Sequence, residues 1–142
     1  MKKILLLGAL FAVNLWAVND IEVKNAFVKQ TPPHAQNSAI FLTIFNNTNK
    51  DIALISAKSD ISEVSEVSEL HTHIHKDGKI MMQKIPEIII KAHSSTELKS
   101  GGYHIMLLKL KKPIIKDTKV NLDLKFNNHK TIELKNIDSK EF

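Results

Sequence analysis

Residues Glu69 to Leu110 read ELHTHIHKDGKIMMQKIPEIIIKAHSSTELKSGGYHIMLLKL and hold three of the four methionines and five of the seven histidines of the chain. At the C-terminal end, Tyr103-His104-Ile105-Met106-Leu107 reads as a strand, and its period of two puts His104 and Met106 on one face. At the N-terminal end, Leu70-His71-Thr72-His73-Ile74 alternates in the same way, and Lys76-Asp77-Gly78-Lys79 carries the Asp-Gly signature of a tight hairpin. With Asp77 and Gly78 as the loop, His75 faces Ile80, His73 faces Met82, and His71 lies diagonally from Met82, all on one side of the ribbon. A loop one residue longer would reverse that parity.

Outward from this stretch, the same period continues. Ile21 to Gln30 alternates and is ended by Thr31-Pro32-Pro33; Ser38 to Phe45 is a nearly continuous apolar run of strand length, closed by the Asn46 to Asp51 turn. Asp51 to Ala57 reads as a third strand, and Lys58 to Ser68 as loop leading into the next. Gln83 to Lys91 holds Pro86 and the run Ile88-Ile89-Ile90, Ser95 to Leu98 is a short strand, Ser100-Gly101-Gly102 is a turn, and Val120 to Phe126 and Thr131 to Ile137 form the last pair. About nine short strands with almost no helical periodicity describe a single-domain, antiparallel all-β sandwich or barrel. A chain of 142 residues, 43% of them hydrophobic, is long enough for one real core.

The first residues, MKKILLLGALFAVNLWA, carry two lysines, a short apolar run and a small residue at Ala17, the pattern of a secretory signal peptide over residues 1–17. The expected domain is therefore residues 18–142. No stable membrane insertion is expected once the leader is gone, because the apolar run is short for a span. The chain has no cysteine, so no disulfide holds the fold and no thiol carries a lipid. Loss of Lys2 and Lys3 with the leader lowers the formal charge from +5 to about +3. Its lysines are dispersed, with the densest group at Lys109, Lys111 and Lys112, read as a solvated strand edge or as a docking patch for an acidic partner. Export and the lack of interleaved aromatics argue against nucleic acid.

Two imidazoles and two thioethers on shared faces suggest a metal site. Thioether sulfur is a soft, neutral ligand that suits Cu(I), and in an oxidising compartment it cannot pair covalently as thiols do. The spacing is His71, ten residues, Met82, twenty-one residues, His104, one residue, Met106. This spacing, with its Leu-His, Asp-Gly and Gly-Gly-Tyr-His-x-Met-Leu neighbourhoods, resembles that of the periplasmic copper chaperone family written PCu(A)C. The resemblance extends to the opening strand, proline loop and Asn-rich turn. It implies a cupredoxin-like β-sandwich, one Cu(I) held by His71, Met82, His104 and Met106, and a periplasmic, non-enzymatic role. The implied partner is a copper acceptor protein, a respiratory terminal oxidase subunit or an assembly chaperone serving it. A blue-copper electron carrier is excluded because its site requires a cysteine thiolate.

The alternative is a structural or adhesive exported β-sandwich with incidental His and Met residues, Met82 and Met106 being core fillers. His73 rivals His71, since in the drawn register it faces Met82 more directly, but the family spacing selects His71. His75 is read as solvated, Met81 as packed in the core, Tyr103 as a core or supporting residue, and His34, His93 and His129 as surface residues in turns. The core is expected from the Tyr103, Ile105 and Leu107 face, leaving the ligand face near solvent. The family's better-equipped members carry a His- and Met-rich extension that the ending Asn136 to Phe142 does not resemble, so no gathering of Cu(II) by a tail is expected.

Overall fold

The structure, a computed structural model, describes residues 19–60 and 63–142. The expected signal peptide, residues 1–17, lies outside the described residues. Ten strands and no helix occur among the described residues: β1 (Ile21–Lys29), β2 (Ser38–Asn46), β3 (Ile52–Ser59), β4 (Ser65–Lys76), β5 (Lys79–Lys84), β6 (Ile88–Ile90), β7 (Ser94–Leu98), β8 (His104–Leu110), β9 (Lys119–Phe126) and β10 (Thr131–Lys140). They hydrogen-bond in the order β5-β4-β8-β2-β1-β10-β9-β3-β6, with β7 also on β2. All pairings are antiparallel except β1 with β10, which is parallel. The far end of this path folds back, so that β3 packs on β4, where the buried Ser59 and Ser65 hydroxyls lie 2.9 Å apart. One continuous sheet thereby makes the two layers of a cupredoxin-like sandwich around a single core.

Apolar positions spaced by two decide which face of each strand is inside. On β8, Ile105 and Leu107 are fully buried beside Ile40 and Leu42 of β2 and Leu70 of β4. Each such side chain contributes roughly 1.5–3 kcal/mol of burial, which pins β8 between its neighbours and fixes the direction of His104 and Met106. In two strands the alternation slips. The β1–β2 register shifts between Lys24 and Phe27, and the β10–β9 register between Leu134 and Ile137. At these bulges Asn25 (φ 58°) and Asn136 (φ 55°) take the left-handed conformation that asparagine tolerates better than most residues.

The β4–β5 hairpin has the expected register. Asp77 (φ 52°) and Gly78 (φ 72°) form its tip, both left-handed as a type I′ turn requires, and Lys76 pairs with Lys79, His75 with Ile80 and His73 with Met82. Other expectations need correction. The segment read as loop from Lys58 to Ser68 contributes strand at both ends, since β3 runs on to Ser59 and β4 begins at Ser65. Met81 is 49% exposed and not in the core, because β5 is an outer strand on which every residue is exposed. Tyr103 precedes β8 and is exposed, so that strand's inner face is made by Ile105 and Leu107 without it. Lys109 and Lys111 do not mark a sheet edge: β8 is interior, and both ammonium groups lie 3.9 Å from Glu66 of β4.

Candidate metal centre

The outer face of the β5-β4-β8-β2 layer collects the chemistry. In the β4–β8 register His71 is opposite His104 and Glu69 opposite Met106, while β5 brings Met82 opposite His73 and Lys84 opposite His71. Ala39 of β2 is opposite Met106. Because Leu70 and Ile105 point into the core, their neighbours in sequence must point to this face.

His73, Met82, His104 and Met106 line one cavity of about 280 Å³, walled on the other side by Lys29 to Pro32 and by Phe41. His71 does not line the cavity, but its ring lies 5.6 Å from that of His104; the His73 ring lies 5.2 Å from it. The structure thus brings Met82, His104 and Met106 of the predicted set together with the rival His73, and leaves His71 outside the cavity, beside His104. His75 and the three turn histidines His34, His93 and His129 are exposed and apart. The turn histidines all have left-handed backbones.

The expectation that the ligand face lies near solvent holds for Met82, 54% exposed, and is corrected for His104, which is 3% exposed. That burial follows from β8 being flanked by β4 and β2 and from the ring of Phe41, whose centroid is 6.4 Å from the His104 ring. Phe41 belongs to an aromatic group with Phe27 and Phe142 that closes one end of the face. Phe27 reaches this group only because the β1 bulge resets its parity.

Hydrogen bonds set which ring nitrogens are free. Nδ1–H of His104 donates to the Gly102 carbonyl at 3.1 Å, and Nδ1–H of His73 donates to the same oxygen at 3.3 Å, so each neutral ring keeps an Nε2 lone pair. His71 is arranged the other way. Its Nε2 lies 2.8 Å from Glu69 Oε2, and its Nδ1 is buried with no hydrogen-bond partner among the described residues. A buried polar atom left bare is costly unless something supplies a partner. Among the described residues no group of three or more His, Cys, Asp or Glu side chains is arranged to hold a metal ion.

Burial pushes the His104 imidazole below its ordinary value of 6.5, opposed by its bond to Gly102 and assisted by the nearby His73 and His71. A histidine with a depressed folded value contributes stability that is fully present above about pH 6.5 and is lost as pH falls through the folded value. The apo-protein is therefore expected to melt at lower temperature on acidification from about pH 7.5 to about pH 5, with a shallower dependence in His104→Gln. Thermal melts across that range check it; identical pH dependence in parent and variant would remove His104 as the cause.

Glu69, Lys84, the Gly102 carbonyl and the phenylalanine group are the parts that sequence reasoning did not name. Glu69 had a signal, since it stands two residues before His71 on an alternating strand and so shares its face.

A family model described as "Putative lipoprotein LpqE-like" matches residues 21–137. Among solved structures, the apo PCuAC domain from PmoF1 aligns with TM-score 0.69 at 16% identity, covering 88% of this chain and 98% of that chain. The copper-bound PCuAC domain from PmoF2 aligns with TM-score 0.67 at 14% identity, covering 87% and 96% respectively. These two show a common fold. The solution structure of CuI-DR1885 from Deinococcus radiodurans aligns with TM-score 0.65 at 25% identity, covering 91% of this chain and 82% of that one. No curated protein matches the chain.

Proposed function

The chain belongs to the LpqE-like family, and from that premise we propose that it is a copper carrier, binding one Cu(I) through His71, Met82, His104 and Met106 and releasing it to an acceptor protein. The observation that carries the reading is the placing of two imidazoles and two thioethers on one sheet face, with the buried His71 Nδ1 lacking a hydrogen-bond partner among the described residues. Copper in the solved PmoF2 domain and Cu(I) in DR1885, both of this fold, support the choice of metal. Neutral ligands suit transfer, because an incoming ligand can replace them one at a time without separating charge. The chain's own residues would hold and release the ion.

The family description is of lipoproteins, which points to an exported protein. This sequence has no cysteine for a lipid, and among the described residues no helix is long and apolar enough to cross a membrane. A periplasmic location after removal of residues 1–17 belongs to the proposal. So does the acceptor, a copper centre of a respiratory terminal oxidase or a chaperone that serves it.

The test is competition against a Cu(I) chelator, run beside Zn(II) binding. One copper per domain, with zinc binding far more weakly, is the expected outcome, since thioethers are poor zinc ligands. Failure to compete with the chelator, or equal displacement of copper by zinc, overturns the reading.

A further inference from the structure

Glu69 is not one of the four ligands, yet it touches the one whose donor atom is least obvious. Its Oε2 accepts from His71 Nε2 at 2.8 Å, and its Oε1 lies 3.3 Å from the Lys84 ammonium group. Lys84 is on β5, directly opposite His71.

A neutral imidazole carries one ring proton, and an ionised carboxylate can only accept. In the neutral ring the proton therefore sits on Nε2, and Nδ1 keeps a lone pair at a buried position without a hydrogen-bond partner among the described residues. The other tautomer would set a lone pair against the carboxylate oxygens and bury an N–H with no acceptor. Both changes are unfavourable. Across the β4–β8 pair, His104 has the opposite arrangement, with Nδ1 bonded to Gly102 and Nε2 bare.

We propose that Glu69, held by Lys84, is a positioning residue that fixes the Nε2–H tautomer of His71 and so makes Nδ1 the atom offered to Cu(I). The inference rests on the copper reading of the site. It assigns the two imidazoles different donor nitrogens, Nδ1 in His71 and Nε2 in His104.

Long-range ¹H–¹⁵N NMR of the histidine rings in the apo-protein reads the tautomer without copper, and chelator competition reads Cu(I) affinity, in parent, Glu69→Gln and Glu69→Ala. The parent is expected to show a protonated Nε2 and a bare Nδ1 in His71. Glu69→Gln keeps that tautomer, since its amide oxygen still accepts, and loses affinity only a few-fold. Glu69→Ala mixes the tautomers and loses roughly 10- to 100-fold, the usual effect of removing a partner behind a metal-bound histidine. An unchanged tautomer in Glu69→Ala, or affinity within about twofold of the parent, overturns the assignment. If the alanine variant folds poorly, Glu69→Gln decides: full parental affinity overturns the role, and a retained tautomer with a few-fold loss supports it. A parent that binds no Cu(I) instead removes the carrier reading, and with it the donor role, whatever tautomer the spectrum shows.

Discussion

Met82→Leu and Met106→Leu are each expected to weaken Cu(I) binding by more than the roughly 10- to 100-fold typical of losing an outer partner of a metal ligand, while the apo-protein melts almost where the parent does. The basis is positional. Met82 is 54% exposed on an outer strand and makes little of the core, so its replacement removes sulfur and almost nothing else. Met106 is half-buried on β8 opposite Ala39, and an exchange of near-equal apolar volume there costs below about 1.5 kcal/mol. Thermal melts of apo and copper-loaded forms, beside chelator competition, separate the outcomes. The copper-induced rise in melting temperature should shrink or vanish in both variants. If the apo variants lose several degrees while affinity survives, the methionines are packing residues and the carrier reading fails.

For His104→Ala the expected result is a joint loss: Cu(I) binding is abolished and the apo-fold is destabilised by about 2 kcal/mol or more. His104 is 3% exposed, donates to Gly102 and packs against the rings of Phe41, His71 and His73, so truncation leaves a cavity and takes from the Gly102 carbonyl the shorter of its two histidine hydrogen bonds. Urea denaturation of the apo-protein measures the first effect and chelator competition the second. Unaltered stability would mean that the ring does not bridge β2 and β4 as described. The contrast with the methionines is the informative part, because it divides one donor set into a residue built into the fold and residues added to its surface.

Much of this arrangement is legible in the chain. Asp77-Gly78 fixes the hairpin register, and the two-residue period of β4 and β8 sets His71, His73, His104 and Met106 on one face before any tertiary contact is considered. Illegible features are those set by which strand neighbours which. Alternation assigns His104 and Met82 to the same face, but it does not say that β8 is interior and β5 outermost, and that difference buries one and exposes the other. Met81 was placed in the core for the same reason, a face having been identified without its cover. Bulges are a second kind of blind spot. Nothing in the alternation of Ile21 to Gln30 announces the slip at Asn25 that carries Phe27 round to Phe41, although an asparagine inside a strand is a hint.

An outer strand open enough for the proposed exchange of copper is also open to peroxide. Met81 and Met82 are 49% and 54% exposed, side by side on β5, whereas Met106 is half-buried and walled by the cavity. Oxidation to the sulfoxide turns a soft sulfur donor into a polar, chiral group with oxygen outermost. On Met82 that change strikes a proposed ligand; on Met81, which faces away, it alters only a surface side chain. Copper bound as proposed would engage one of the two lone pairs on the Met82 sulfur and withdraw electron density from the other, so the empty form would be the more readily oxidised one.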